Sequence, residues 1–231
     1  MTTGFPPSAR TRLRRRPQRG HYDEATIFAV LDAGLIAHVG YVADGQPLVT
    51  PTAYWREGRR LLWHGSAGSR ALRAQAAGIP VCVTVSHLDG LVLGRSGFAH
   101  SVLYRSVMAF GRTAPIEERE AKRRAMHAFI DRLYPGRTRE LRPIHDVELD
   151  MIAVISMEIE EASAKIRDGG VNEKEEDLQA PGWAGVIPVR TSIGAKQTDA
   201  RIDSRVPFPP SVAGYAESAR LDEVLGKTPA S

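Results

Sequence analysis

One stretch of the chain, residues 61–73, combines the residue types that bind phosphate groups: hydroxyls at Ser66 and Ser69 and a guanidinium at Arg70. It begins as an apolar strand, turns at two glycines and continues as a helix whose N-cap is predicted to be Ser66 or Ser69. Free backbone N–H groups and the positive end of the helix dipole point the same way at such a junction. The residues therefore predict an anion site, and an ordinary capped helix with surface arginines stays open as the alternative.

The composition sets the class of protein. The chain has 231 residues, of which 42% are hydrophobic and 25% charged, so it can bury a sizeable core. Cys82 is the only cysteine, which excludes an intrachain disulfide and a cysteine-based zinc cluster. No apolar run reaches the length of a membrane span, and the N-terminus lacks the apolar segment of a signal peptide. We therefore expect a cytoplasmic protein without a membrane partner.

The formal charge of +4 comes from the first residues of the chain. Residues 1–19 contain six arginines and no acid, which leaves 25 basic and 27 acidic residues in 20–231. Such an arm can touch a polyanion, but it has no interleaved aromatic residues, and the rest of the chain has a net charge of −2. A solvated or dimer-clasping arm is therefore predicted ahead of a nucleic-acid partner.

Hydrophobic periodicity and turn residues predict short strands with a few helices. In chain order the predicted elements are a helix from Asp23 to Gly34, strands at 35–42, 47–55 and 60–64, a helix at 69–77, strands at 81–87, 91–95 and 104–111, a helix at 117–134 and a strand at 151–159. Asp44-Gly45 and Asp89-Gly90 are read as hairpin turns. The pattern indicates a small antiparallel barrel that is mainly β, with peripheral α-helices.

Three regions follow from this pattern. Residues 1–19 form a basic N-terminal arm, 20–190 the folded domain and 191–231 a polar, loosely attached C-terminal tail. Within the domain, residues 165–179 are predicted to be a loop and 183–189 a last short apolar segment.

Residues 61–70 resemble the phosphate loop of the pyridoxamine 5′-phosphate oxidase-like, FMN-binding split-barrel family, in which a Ser-Arg pair opens the helix. Ser69 and Arg70 match that pair. Residues 32–40, 51–55, 87–93 and 183–188 resemble the subgroup related to nitroimidazole-resistance proteins. The likeness covers roughly residues 17–190 and rests on the ordered set of motifs.

The resemblance implies an FMN-binding split β-barrel. Its predicted cofactor-binding residues are Thr50, Pro51, Thr52, His64, Ser66, Ser69, Arg70, Tyr104, Arg105, Ser106 and Trp183. Ser66, Ser69, Arg70 and Arg105 are assigned to the phosphate, and residues 50–52 to the edge of the flavin ring. Ala71 stands where the oxidases carry a lysine, and the chain's last residues, 226–231, lack their arginine-containing segment. Both departures argue against synthesis of pyridoxal phosphate.

Two of these residues have open alternatives. His64 resembles the histidine near the flavin in the nitroimidazole-resistance subgroup, but a hydrogen-bonded structural histidine fits as well. Trp183 is either a flavin contact or a core or dimer-interface residue. The spacing of the histidines matches no standard metal site, and no catalytic residue is assigned.

The function expected is electron transfer from reduced flavin to a small organic substrate. The alternative is a protein of the same fold that binds flavin or haem without turnover. The resemblance also implies a homodimer with flavin at the interface, for which Trp183, Tyr54 and Trp55 offer interface-type aromatic side chains. The alternative to a dimer is that the helix at 117–134 and the C-terminal tail of the same chain cover the flavin.

Overall fold

A closed ring of antiparallel strands forms the body of the protein. The computed structural model describes residues 3–203 and 205–226. The strands are β1 Gly20–His21, β2 Ile36–Ala43, β3 Gln46–Glu57, β4 Arg60–Ser66, β5 Pro80–Leu93, β6 Ser101–Pro115, β7 Ile152–Glu158, β8 Glu161–Arg167 and β9 Gly185–Pro188. The α-helices are α1 Glu24–Asp32, α2 Arg70–Ala76, α3 Arg119–Leu133, α4 Asp146–Asp150 and α5 Leu221–Gly226. None of the described helices is long and apolar enough to cross a membrane.

The ring runs β6-β7-β4-β3-β2-β5 and closes because β5 also pairs with β6. On its other edge β6 changes partner: Phe110 still pairs with Glu161 of β8, whereas Thr113 pairs with Met157 of β7. Strands β7 and β8 therefore follow each other in the chain but separate along β6. This separation is the split of the barrel, and the predicted antiparallel split-barrel fold is confirmed.

Gly111 lies where β6 passes from β8 to β7. A Cβ atom at this position would lie 2.1 Å from the carbonyl oxygen of Glu158 and 2.8 Å from Cγ of Met157. Neither distance is possible between real atoms, so only glycine lets the three strands meet this closely.

Two clusters of buried side chains fill the fold. The larger one occupies the barrel and takes Leu61 and Trp63 from β4. The smaller one lies on the outer face of the barrel under α3 and includes Trp55 and Leu62. Successive residues of β4 therefore serve opposite faces, as expected for a strand.

The helix caps and the first hairpin turn predicted from the sequence are confirmed. Asp23 caps α1 by accepting a hydrogen bond from the Thr26 N–H at 2.8 Å, and Ser69 caps α2 by accepting one from the Leu72 N–H at 3.5 Å. Asp44 and Gly45 have φ values of 51° and 72° and connect β2 to β3 as a tight hairpin.

Two predictions about strands are wrong. Asp89-Gly90 is not a hairpin: β5 continues through it with an irregularity between Leu88 and Gly90, because β6 and β9 pair with the strand beyond that point. The loop predicted at 165–179 begins inside strand β8. That strand was missed because small residues, such as Ala162 and Ala164, fill its buried positions.

The described part of the tail is not loosely attached. Leu225 is fully buried, and its carbonyl oxygen accepts a hydrogen bond from Nη1 of Arg132 at 2.6 Å. The hydroxyl of Tyr215 donates to the Leu133 carbonyl. The tail therefore docks on the end of α3. The sequence difference from the C-terminal segment of the oxidases lies almost entirely in residues 227–231, and these lie outside the described residues.

The described part of the basic arm, from residue 3 onward, contacts the folded body at several points. Phe5 and Thr11 are buried, and Gly4 forms a β-bridge with Asp23. Arg10 forms an ion pair with Glu161 at 2.6 Å. These contacts attach the described arm to the folded body, while five of its six arginines stay exposed.

Overpacking typically costs about 1–3 kcal/mol of unfolding free energy. We expect Gly111→Ala to lower the stability of the protein by about 3 kcal/mol or more, because the added Cβ clashes with backbone atoms. The control is Gly40→Ala, where the added Cβ would lie 3.5 Å from the nearest atom, an ordinary contact. Denaturant unfolding measures both variants. Equal midpoints for the two would contradict the assignment of the strand junction.

Candidate functional site

A cavity of about 190 Å³ opens between β3, β4 and α2. Its lining brings together five of the residues predicted from the sequence, namely Thr50, Thr52, His64, Ser66 and Ser69. The remaining lining residues are Val39, Trp63, Gly65, Ala71, Leu72 and Gln75.

The cavity exists because β3 and β4 diverge. The two strands pair from Glu57 and Arg60 as far as Tyr54 and Trp63, and not beyond. The continuing part of β3 carries the threonine at position 52 away from the end of β4. The strands thus leave an apolar floor with hydroxyl groups on both sides.

The loop between β4 and α2 supplies the polar side of the cavity. The Gly68 N–H donates to Oγ of Ser66 at 3.2 Å, which orders the loop. An added Cβ at Gly65 would lie 2.9 Å from Cδ1 of Leu72, so the glycine lets the helix approach the strand. Helix α2 has only seven residues, so its dipole adds little, and the hydroxyls of Ser66 and Ser69 are the polar groups of this loop that face the cavity.

Arg70 lies at the first position of α2 and is largely exposed. Its one ion pair in the described structure is with the exposed Asp44, at 3.5 Å. An ion pair on the surface contributes little to stability. The guanidinium can therefore leave Asp44 and bind an anion at the loop instead.

Arg105 is not brought to this cavity. It donates to both carboxylate oxygens of Asp89, at 2.9 and 2.7 Å, and lies 3.3 Å from Asp222. The hydrogen bonds to Asp89 are the main cause of the raised pKa of Arg105. The residue lines a separate cavity of about 320 Å³ with His87.

The other predicted residues on β6 are also elsewhere, because β6 lies away from the β3–β4 gap. Tyr104 lies beneath the ammonium of Lys165, 6.0 Å from the ring centre. Ser106 donates to the Lys165 carbonyl at 3.3 Å.

Pro51 lies on β3 but does not line the cavity either. It pairs with His38 of β2, and its side chain faces away from the cavity because its neighbours on β3, Thr50 and Thr52, face into it.

The three aromatic residues considered for an interface have different positions. Tyr54 and Trp55 are buried within the chain, so the expectation that they offer interface surface is wrong. Trp183 is 64% exposed, which excludes the core alternative for this residue. It lies just before β9 and covers the backbone of Gly185.

His64 has an unusual environment. Its ring lies 4.8 Å from Phe129 of α3 and 6.1 Å from Trp55, and its buried Nδ1 has no hydrogen-bond partner among the described residues. The structure therefore does not show the hydrogen-bonded structural histidine that the sequence left open. Burial lowers the pKa of the imidazole, which favours the neutral form with a free nitrogen lone pair.

One supporting residue was missed by sequence reasoning. Gln75 is buried beneath the cavity and accepts a hydrogen bond from Nε1 of Trp63 at 2.8 Å. Its backbone carbonyl accepts a hydrogen bond from the Thr113 hydroxyl. A glutamine on a short helix gives no pattern that separates it from a surface residue.

Comparison with known proteins identifies the family. The chain belongs to the pyridoxamine 5′-phosphate oxidase family, whose model matches residues 23–166. No curated protein matches the chain.

Two solved structures are similar over almost their full length. The flavocytochrome Anf3 from Azotobacter vinelandii is 41% identical, with a TM-score of 0.85 over 91% of this chain and 98% of its own. The FAD and heme binding protein from Mycobacterium smegmatis is 38% identical, with a TM-score of 0.83 over 88% of this chain and 98% of its own.

A protein from Bacteroides thetaiotaomicron named for 5-nitroimidazole antibiotic resistance is 20% identical. The match has a TM-score of 0.53 and covers 62% of this chain and 84% of that one. At this identity the likeness concerns the fold.

Proposed function

We propose that the protein is a flavin-binding redox protein that holds the phosphate end of the flavin at Ser66, Ser69 and Arg70. The observation that carries the proposal is the cavity in which five residues predicted from the family resemblance meet. The names of the Azotobacter and Mycobacterium proteins support it, since these relatives cover nearly the whole chain.

The residues of the cavity fit the needs of such a cofactor together with Arg70, which lies outside the lining between Ser69 and Ala71. A bound flavin supplies the redox chemistry, so the protein needs only to bind it, orient it and exclude water. The hydroxyls of Ser66 and Ser69 donate to phosphate oxygens, and Arg70 offers a paired, charge-assisted contact. Thr50 and Thr52 present polar groups on the opposite wall. We favour an enzyme that transfers electrons from the reduced flavin to a small organic substrate. The alternative is a protein that binds the flavin without turnover.

The proposed site concerns the riboflavin phosphate portion that FMN and FAD share. The resemblance implies FMN, whereas the similarity to a FAD and heme binding protein from Mycobacterium smegmatis supports FAD. Chromatography of the flavin released by acid from the purified protein separates these two forms.

Haem binding is the second function that a specific observation favours. His64 presents a neutral imidazole whose buried nitrogen has no partner, flanked by the rings of Trp55 and Phe129. A neutral imidazole on an apolar wall has the donor chemistry of an axial haem ligand. Two similar proteins are named as a flavocytochrome and as a FAD and heme binding protein.

The size of the cavity favours a homodimer. Sites that enclose a ligand of this size usually have volumes of about 300–1,000 Å³, well above the 190 Å³ found here. A second wall is therefore needed, and a twofold-related copy supplies one for each site.

A row of exposed apolar residues offers the surface for that copy. Val102, Leu91 and Ile187 lie directly opposite one another across β6, β5 and β9, and all three are exposed. Trp183 precedes β9 and extends this apolar surface. An uninterrupted row of this kind is typical of an interface between protein chains.

We expect Arg70→Ala to weaken flavin binding about ten- to hundredfold, because it removes a charge-assisted contact with the phosphate. Flavin fluorescence titration measures the dissociation constant. Arg124→Ala is the matched control, since Arg124 is similarly exposed, at 72% against 76% of the side chain, and lies on α3 rather than beside the Ser66–Ser69 loop. Equal affinity in both variants would remove Arg70 from the phosphate site.

We expect the purified protein from haem-supplemented cells to show a Soret band that His64→Ala loses, because the axial nitrogen is removed. The flavin absorption is expected to remain. His127→Ala on α3 is the control and should keep both sets of bands. A Soret band that persists in His64→Ala, or is absent from the unaltered protein, would contradict the haem assignment.

We expect light scattering on the flavin-loaded protein to give about twice the chain mass of 25.3 kDa. Leu91→Glu should give a monomer that retains less flavin, since it places a charge in the apolar row. Leu141→Glu is the control because its side chain is equally exposed, at 41% against 40%. A monomer with full flavin occupancy in the unaltered protein would overturn the dimer.

A further inference from the structure

A second cavity, of about 320 Å³, is surrounded by positive charge. Five cationic side chains line it, from Arg15, Arg16, Arg19, Lys165 and Arg167. No acidic residue belongs to this lining, and none of its residues lines the cavity between β3, β4 and α2.

The fold brings these charges together from two distant parts of the chain. Strand β1 pairs with β8 at Gly20 and Lys165, which fixes the end of the arm beside that strand. Arg16 has φ 58° and ψ 56°, a left-handed conformation that is uncommon for a residue with a side chain. On the other side, the guanidinium of Arg167 donates to the Ser101 hydroxyl.

The positive charges have no counter-charge within the described residues. None of the five lies within ion-pair distance of a described carboxylate, whereas Arg10, on the same arm, pairs with Glu161 at 2.6 Å. Burial, followed by repulsion from Arg19 and Arg16, lowers the pKa of Arg167. Asp168 lines only an adjoining groove. Such an excess of like charge costs folding free energy and is offset when an anion binds.

Phe98 adds an aromatic surface at the same cavity. Its side chain is 91% exposed, the largest exposure among the big apolar residues described here. Exposed aromatic rings stack on the planar bases of nucleotides, and arginine guanidinium groups match the geometry of phosphate oxygens.

We propose that this cavity binds a small nucleotide, with its diphosphate among Arg16, Arg19 and Arg167 and its base on Phe98. A free nucleotide is favoured over a nucleic-acid strand for two reasons. All five charges converge on one cavity, whereas the adjoining groove shares only Arg19 and Arg167 of them and contains Asp168, and residues 20–231 carry a net charge of −2, which disfavours an extended polyanion. The proposal does not depend on flavin or haem binding, because the two cavities share no residue.

Isothermal titration of the full-length protein, with its flavin content measured beforehand, tests the site with ADP, pyrophosphate and AMP. ADP is expected to bind more tightly than either of the other two, because it has both the base and the diphosphate. Arg19→Ala and Arg167→Ala should each weaken ADP binding about ten- to hundredfold. Phe98→Ala should reduce ADP affinity toward that of pyrophosphate and leave pyrophosphate binding unchanged.

Arg14→Ala is the control, since this exposed arginine belongs to the same arm and does not line the cavity. If Arg167→Ala does not fold, the variant Arg19→Ala, at a half-buried position of the arm, still decides the question. Unchanged ADP affinity in the arginine variants would overturn the proposal, as would ADP binding that Arg70→Ala abolishes. The site would instead be assigned to nucleic-acid binding if a short single-stranded oligonucleotide bound more tightly than ADP, with a steep dependence on salt.

Discussion

The contact between Gly111 and the backbone at Glu158 determines the geometry of the whole barrel. Strand β6 can pair with β5 on one edge and with both β8 and β7 on the other only if it passes very close to the turn between those two strands. The missing side chain provides that closeness. The ring closes through β7 and β4, and β8 is left free to bind the end of the N-terminal arm through β1.

The same closure creates the cavity beside α2. Strand β4 is held by β7 along its full length, so its last residues follow β7 and leave β3. The Ser66 to Ser69 loop then lies opposite Thr50 and Thr52, and Trp63, hydrogen-bonded to Gln75, forms the floor. The position of the polar groups thus follows from strand pairing rather than from the loop alone.

Arginines in three environments show how the structure assigns different roles to one residue type. Arg105 is neutralised by Asp89 and Asp222 and therefore stabilises its surroundings. Arg70 has one weak surface partner and is available to a ligand. Arg167 belongs to a group of cations without acidic partners in the described chain, which is the arrangement expected of an anion site.

The sequence by itself determined the features that depend on neighbours in the chain: the caps at Asp23 and Ser69, the hairpin at Asp44 and the grouping of hydroxyls near Arg70. Family resemblance added the split barrel. Only the tertiary structure decided that Arg105 lies away from that loop, that the tail docks through buried Leu225, and that the arm's arginines meet Lys165 and Arg167 of β8. The reason is physical. Caps and turns are satisfied within a few residues, whereas strand partners and side-chain neighbours far apart in sequence are fixed only when the barrel closes.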